Sequence, residues 1–224
     1  MNGPRFDLVV FDFDGTLADT KLGIALATNA MLLAMQLPEL PNETIYPLIG
    51  MSLRTSVGML LEDAHPGQAA TDAEIDRAVA LYSELYPSVS QAHDKLFPGV
   101  REGLDQLVMA GVTMAIATSK SSRGIRRMMA SLALEGYFQH WVADDMVTRK
   151  KPAPEMLDYL LGETGRLPAS SLMVGDTSFD IEMGNEAGLV TCAVTYGVHP
   201  RARLVAAGAQ HLADDFAGVT GLVL

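Results

Sequence analysis

The sequence is poor in cysteine and in aromatic residues. Its 224 residues include a single cysteine, and aromatic residues make up 6% of the chain. One cysteine cannot close an internal disulfide, so the chain suits a reducing compartment. Because Cys192 lies within the apolar run 190–194, we expect a thiol packed inside a strand and not a nucleophile.

Basic residues and long apolar stretches are also scarce. The chain has 16 Lys and Arg against 27 Asp and Glu, which gives a formal net charge of -11. Nucleic acids and anionic membranes bind concentrated basic surface, so neither is an expected partner. No run of 18 apolar residues occurs, and the N-terminus lacks the pattern of a signal peptide. We predict a cytoplasmic protein, either a monomer or a homodimer.

Apolar residues, in contrast, make up 49% of the chain, which is ample for a core. Short continuous apolar runs at 8–11, 112–117, 172–174 and 190–194 are typical of strands buried on both faces. Segments with helical spacing lie between them, one ending at Gly111 and another at Gly162. This alternation predicts an α/β fold, a Rossmann-like parallel sheet with helical crossovers.

Residues 20–89 interrupt the alternation with helical patterns alone. Leu22, Leu26 and Leu33 can share one helix face, a second helix follows Ser52, and a third begins at Thr71 with a capping box. We predict an all-helical cap domain over 20–89, inserted into a core domain made of 1–19 and 90–224.

Two predicted strands end in pairs of carboxylates. Asp12 and Asp14 follow the first apolar run, while Asp176 and Asp180 follow the run at 172–174. In an open parallel sheet the carboxyl ends of the strands border the binding crevice. Neighbouring carboxylates repel one another unless a hard cation such as Mg²⁺ lies between them. An ordinary turn at Asp14-Gly15 and a helix cap at Asp176 remain alternatives for each pair taken alone.

Other residues could bind a phosphate group near these acids. Thr118 and Ser119 end the strand 112–117, where hydroxyl and backbone N–H groups can bind phosphate oxygens. Lys151 precedes Pro152 and Pro154, which stiffen its loop. An isolated lysine is usually solvated. Near a bound metal, however, the Lys151 ammonium would help to neutralise the negative charge of a phosphoryl group.

Four segments in order resemble the motifs of the haloacid dehalogenase superfamily. They are Asp-Phe-Asp-Gly-Thr-Leu at 12–17, Thr118, Lys-Pro-Ala-Pro at 151–154 and Gly-Asp-Thr-Ser-Phe-Asp at 175–180. The helical insert resembles the cap of the branch that contains phosphoglycolate phosphatase and β-phosphoglucomutase. The resemblance covers residues 6 to about 195.

The resemblance implies a role for each acid. Asp12 matches the nucleophile that forms an aspartyl-phosphate, and Asp14 matches the general acid and base. Mg²⁺ would be held by the Asp12 carboxylate, the Asp14 backbone carbonyl and Asp176, with Asp180 in support.

The resemblance also implies roles for residues that bind substrate. Thr118 and Lys151 match the phosphate-binding hydroxyl and lysine of the second and third motifs. Ser119 stands where many relatives have asparagine. The segment 50–54 resembles the cap loop that approaches the active site, so Arg54 could bind a second anionic group, although a solvated Arg54 is equally consistent with the sequence.

These features predict a Mg²⁺-dependent phosphatase for a small phosphorylated metabolite such as 2-phosphoglycolate. A pyrophosphatase, a nucleotide or sugar-phosphate phosphatase and a phosphosugar mutase remain alternatives within the fold. A dehalogenase is disfavoured, because carbon-halogen cleavage requires no metal and gives the additional acids no purpose. A phospho-accepting signalling domain is the alternative from another class, but such domains are shorter and carry no helical cap.

Overall fold

A parallel sheet forms the centre of the computed structural model, which describes residues 3–224. Its strands are β1 (Leu8–Phe11), β4 (Thr113–Thr118), β5 (His140–Ala143), β6 (Ser171–Gly175), β7 (Val190–Val194) and β8 (His211–Ala213). They lie in the order β5-β4-β1-β6-β7-β8, and every neighbouring pair is parallel. A separate antiparallel pair consists of β2 (Ala18–Asp19) and β3 (Lys95–Leu96).

Helices cover the sheet and fill the segment between β2 and β3. Those between β2 and β3 are α1 (Lys21–Ala34), α2 (Asn42–Ile45), α3 (Leu53–Ala64) and α4 (Asp72–Ser90). Those that follow are α5 (Val100–Met109), α6 (Ser122–Ser131), α7 (Glu155–Thr164), α8 (Ser178–Glu186), α9 (Arg201–Ala206) and α10 (Phe216–Val223). The predicted α/β class with an inserted helical cap is confirmed. In the part of the chain that is described, no helix is both long and apolar enough to cross a membrane.

The central strand β1 is buried on both faces. Its alternate side chains enter two different cores, because successive residues of a strand point to opposite sides. Phe11 stacks on Phe216 at a centroid distance of 5.8 Å and meets Phe138 edge-on at 6.2 Å. Val10 joins the core on the other face, with Leu157 of α7. This packing fixes the end of β1, where Asp12 follows.

The cap has a small core of its own, formed where α1 and α3 pack against α4 around Met31, Leu61 and Ala78. The predicted capping box opens α4, since the Thr71 hydroxyl accepts from the Glu74 N–H and the Glu74 carboxylate accepts from Thr71. The domain bounds 20–89, 1–19 and 90–224 stay predictions, and residues 1–2 of the core segment lie outside the described range.

Some expectations differ from the observed elements. The predicted end of α7 at Gly162 is wrong, because the helix continues to Thr164 and ends where Gly165 takes a left-handed φ of 65°. Leu22, Leu26 and Leu33 of α1 are all exposed, so they do not form its packed face. The sequence pattern does not predict β5 and β8, the two short strands at the edges of the sheet, because each begins with a histidine and contains at most three consecutive apolar residues.

Candidate active site

Three buried carboxylates meet where β1 and β6 end side by side. Asp12 directly follows β1, Asp176 directly follows β6, and Asp180 lies in the first turn of α8. One oxygen from each lies within 4.8 Å of the others. All three residues are at most 2% exposed. Since β1 and β6 are adjacent parallel strands, their carboxyl ends place these acids together.

Lys151 connects two of these carboxylates. Its Nζ donates to Asp12 Oδ1 at 2.6 Å, to Asp180 Oδ1 at 2.7 Å and to the carbonyl oxygen of Ala117 at 2.9 Å. Burial alone would lower the pKa of Lys151, but the carboxylates of Asp12 and Asp180 raise it above its usual value. The side chain is therefore a buried ammonium that supplies one positive charge among three acids.

One ammonium does not balance the negative charge of three carboxylates. Burial raises the pKa of Asp12 to about 7, and the nearby Asp180 and Asp14 add to this effect while Lys151 opposes it. Burial and the neighbouring carboxylates of Asp12 and Asp180 also raise the pKa of Asp176 well above its ordinary range. Such shifts mark a site in which charge is concentrated away from water.

Asp176 is held tightly by its surroundings. It accepts from the Thr16 hydroxyl at 2.8 Å through Oδ1 and from the Val198 N–H at 2.7 Å through Oδ2. Two glycines permit this approach, since a Cβ at Gly15 or Gly197 would come within 2.2 Å of an Asp176 atom. Gly15 also has a φ of 81°, which other residues rarely adopt. The turn at 12–17 is therefore shaped around Asp176.

The acids differ in how fully their oxygens are bonded. Both carboxylate oxygens of Asp180 are hydrogen-bonded. Its Oδ1 accepts from Lys151, and its Oδ2 accepts from the Thr177 hydroxyl at 2.6 Å and from the Thr177 N–H at 3.1 Å. In residues 3–224, Asp12 Oδ2 is buried without any hydrogen-bond partner. A buried acceptor without a partner is costly. The residues thus fit a cation bound by Asp12 and Asp176, while Asp180 orients Lys151.

Asp14 lies beside this cluster, at the cap side. Its Oδ1 accepts from the Thr20 hydroxyl at 2.6 Å and pairs with Lys120 Nζ at 3.0 Å. Lys120 Nζ also lies 4.8 Å from the centre of the Tyr86 ring in α4. Burial would lower the pKa of Lys120, yet the Asp14 carboxylate contributes to raising it. Sequence reasoning missed Lys120, although its place two residues after Thr118 was an available signal.

The end of β4 supplies the predicted hydroxyls. Thr118 is 1% exposed, and its Oγ1 accepts from the Lys120 N–H at 3.2 Å. Ser119 lies at the junction with the cap, where its hydroxyl donates to the carbonyl oxygen of Gly50 at 2.6 Å. The structure therefore brings Asp12, Asp14, Thr118, Ser119, Lys151, Asp176 and Asp180 to one edge of the sheet.

The sequence of the chain matches a known protein family. The family model described as haloacid dehalogenase-like hydrolase matches residues 9–194. The chain belongs to this family. It is 36% identical over 216 residues to a Dickeya dadantii protein named probable phosphatase IndB, covering 96% of this chain and 92% of that one. It is 28% identical over 221 residues to the phosphoglycolate phosphatase of Haemophilus influenzae, and the match covers 98% of this chain and 99% of that one.

A protein of known crystal structure has the same fold as this chain. The crystal structure of a predicted phosphoglycolate phosphatase from Haemophilus somnus superimposes with a TM-score of 0.90 at 24% identity, covering 97% of this chain and 98% of that one. The predicted resemblance to the haloacid dehalogenase superfamily is therefore confirmed. The chain is a hydrolase enzyme of this family, and the relatives that it matches in sequence are phosphatases by name.

The structure places the arginines near the cap in two different ways. Arg54 does not reach the acids, because it pairs with Asp72 and Asp76 on the exposed surface of the cap. Its placement gives no support to the predicted substrate contact. Arg123 and Arg127 of α6, in contrast, line the cavity in front of Asp12. Only the docking of the cap over α6 creates that cavity, so the local pattern could not reveal it.

Proposed function

We propose that this hydrolase is a Mg²⁺-dependent phosphatase that cleaves small phosphate monoesters through an aspartyl-phosphate. The observation that supports this most directly is the state of Asp12. One of its oxygens is bonded to the Lys151 ammonium, and the other is buried without a partner at the carboxyl ends of the central strands. A carboxylate held in this way is oriented for attack and adjacent to positive charge.

In the proposed reaction, an oxygen of Asp12 attacks phosphorus and the bond from phosphorus to the ester oxygen breaks. Asp14 gives its proton to the departing alcohol, and then takes a proton from the water that attacks the aspartyl-phosphate. This second step releases phosphate and restores both acids. Thr20 and Lys120 hold Asp14 through Oδ1, which keeps the side chain oriented while the proton moves.

The metal site proposed for this reaction consists of the Asp12 and Asp176 carboxylates and the backbone carbonyl of Asp14. Mg²⁺ prefers oxygen ligands, and when bound it would neutralise charge on the phosphoryl oxygens. Lys151 and the Thr118 hydroxyl would bind the same oxygens from the protein side. Asp180 acts through Lys151, whose ammonium it holds at 2.7 Å.

The test is phosphate release from p-nitrophenyl phosphate by the full chain, with Mg²⁺ and after its removal by EDTA. Asp12→Asn should abolish turnover, and EDTA should do the same to the parent protein until Mg²⁺ is restored. Asp7→Asn is the matched control, because Asp7 is exposed just before β1. Steady turnover by Asp12→Asn, or turnover that survives EDTA, would disprove this mechanism. A stoichiometric, long-lived phosphorylated protein would instead indicate a signalling domain.

We further propose a cytoplasmic enzyme of the phosphoglycolate phosphatase-like branch, a likeness of fold and cap that leaves the choice of ester open, with a cap over 20–89 and no nucleic-acid or membrane partner. The net charge of -11 and the buried Cys192, whose thiol pKa burial raises to about 12, agree with this assignment. Light scattering during gel filtration would distinguish a monomer from a homodimer. Turnover of 2-phosphoglycolate is the first activity to measure among natural esters.

A further inference from the structure

A cavity separates the acids from the cap. It has a volume of about 140 Å³, and Asp12 and Asp14 line it from the core. For comparison, an apolar protein cavity of roughly 150 Å³ accepts a molecule of benzene. The space in front of the proposed nucleophile is therefore large enough for a leaving group of ring size.

The cap side of this cavity is apolar. Side chains from α2, α3 and the loop between them form most of this wall: Ile45, Leu48, Ile49, Met51 and Leu60. Tyr82 and Tyr86 of α4 complete it, with ring centroids 5.5 Å apart at an interplanar angle of 42°. We call this set of seven residues the apolar cap wall. Aliphatic and aromatic surface of this kind favours an apolar ligand over a hydrated one.

Four cap residues that line the cavity carry a hydroxyl group, and three of these groups are bonded elsewhere; the fourth belongs to Tyr82. The Ser83 hydroxyl donates to the carbonyl oxygen of Val79 at 2.7 Å, and the Tyr86 hydroxyl donates to Asp94 Oδ2 at 2.9 Å. The Ser56 hydroxyl likewise donates to backbone carbonyls of its own helix. Within residues 3–224, no charged side chain of the cap lines the cavity. A carboxylate placed against this wall would lose water and would meet no positive charge of the cap.

We propose that the enzyme selects phosphate monoesters whose alcohol is apolar and of ring size, and that the apolar cap wall carries this preference. The inference rests on the proposed phosphatase function and deepens it. A leaving group seated on the wall buries apolar surface that remains buried in the transition state. Each buried CH₂ group contributes roughly fourfold to kcat/KM on this basis. Glycolate is a short, charged alcohol, so its ester gains little of this increase in kcat/KM.

Esters of primary alcohols test the proposal, because the leaving groups then differ little in intrinsic reactivity. We would compare kcat/KM for ethyl, butyl and benzyl phosphate and for 2-phosphoglycolate, with the full chain and Mg²⁺. The expected result is an increase of roughly fifteenfold from ethyl to butyl phosphate, which differ by two CH₂ groups, with benzyl phosphate preferred over 2-phosphoglycolate by at least about tenfold. Equal values along the alkyl series, or a preference for 2-phosphoglycolate, would overturn the inference while leaving the phosphatase function intact. Failure to hydrolyse any ester would instead refute the proposed function.

A charge introduced into the wall provides a second measurement. Leu48 is partly exposed, so Leu48→Arg should be accommodated without unfolding the cap. We expect this variant to lower kcat/KM for benzyl phosphate and to raise it for 2-phosphoglycolate, changing their ratio by about tenfold or more. Leu167→Arg is the matched control, because Leu167 is 70% exposed on the core. An unchanged ratio in the folded Leu48→Arg protein, checked by circular dichroism, would contradict a role of the wall in specificity.

Discussion

The Ser119 hydroxyl donates a hydrogen bond of 2.6 Å to the carbonyl oxygen of Gly50 and so joins the end of β4 to the cap. The two residues are 69 positions apart in sequence. Gly50 has a φ of 98°, and a Cβ at this position would lie 2.8 Å from the Thr177 side chain. The cap loop therefore approaches two strand ends at once, and Ser119 fixes its distance from the active site.

Removing this bond should weaken closure of the cap. A hydrogen bond of this kind contributes about 1 kcal/mol, so we expect Ser119→Ala to raise KM about fivefold and to change kcat less. Ser131→Ala is the control, because the Ser131 hydroxyl bonds only within α6, to the carbonyl oxygen of Met128. Steady-state kinetics with p-nitrophenyl phosphate measure both values. A KM equal to that of the parent protein would show that the bond does not hold the cap.

Loss of the Lys151 ammonium should affect both stability and activity. Lys151→Met leaves Asp12 and Asp180 buried without their counter-charge, which costs about 3 to 5 kcal/mol in the free energy of unfolding. The loss of a donor to the phosphoryl group should reduce kcat by about 10² to 10³. Lys150→Met is the matched control, because Lys150 bonds to the backbone carbonyls of Asp144 and Val147 outside the acid cluster. Urea unfolding and phosphate release give the two readouts, and parent-like values in either would refute the corresponding role.

The raised pKa of Asp12 predicts how the metal-free protein responds to pH. Between about pH 4 and pH 7 the unfolded chain has lost the Asp12 proton, while the folded chain retains it up to a pKa of about 7. Stability therefore falls as the pH rises through this range, by about 1.4 kcal/mol for each pH unit at most. Asp176 should add a slope of the same sign.

This prediction is checked by urea unfolding in EDTA at pH 5 and pH 8. We expect the parent protein to be less stable at pH 8, and Asp12→Asn to lose much of that difference. Mg²⁺ added at pH 8 should restore stability, since binding to the folded state alone stabilises it. Equal stability of the metal-free protein at both values of pH would contradict the raised pKa.

Arg123 and Arg127 should attract substrate to the cavity. Both line its rim on the core side, in a protein whose net charge is -11. We expect the double variant Arg123→Gln, Arg127→Gln to lower kcat/KM severalfold at low ionic strength for both benzyl phosphate and 2-phosphoglycolate, with the larger loss for 2-phosphoglycolate, which carries one more negative charge. The difference should shrink in high salt, because screening weakens long-range attraction.

Arg126→Gln is the control for this measurement, because Arg126 lies on the same helix but stacks on Trp141, with its guanidinium carbon 5.0 Å from the ring centre. A loss confined to 2-phosphoglycolate would show instead that the arginines bind a carboxylate of the leaving group.

Much of the core fold follows from local sequence pattern. Strands β1 and β7 begin and end where their apolar runs do, because strands buried on both faces need continuous apolar residues. The capping box at Thr71 likewise lies entirely within four residues. The end of α7 was misjudged because both Gly162 and Gly165 can follow a helix, and only the left-handed conformation of Gly165 distinguishes them.

The sequence by itself determined which residues are candidates for the chemistry, since Asp12, Asp176 and Lys151 stand at the ends of recognisable strands or in a stiff loop. The tertiary structure decided what surrounds them. Docking of the cap paired Ser119 with Gly50 and brought Arg123 to the cavity, while packing of α3 against α4 within the cap paired Arg54 with acids of α4. These contacts join residues distant in sequence, and no local periodicity encodes which surfaces will meet. The chemistry that we propose for Asp12 thus follows from short motifs, whereas the choice of alcohol that we propose depends on how the cap packs over them.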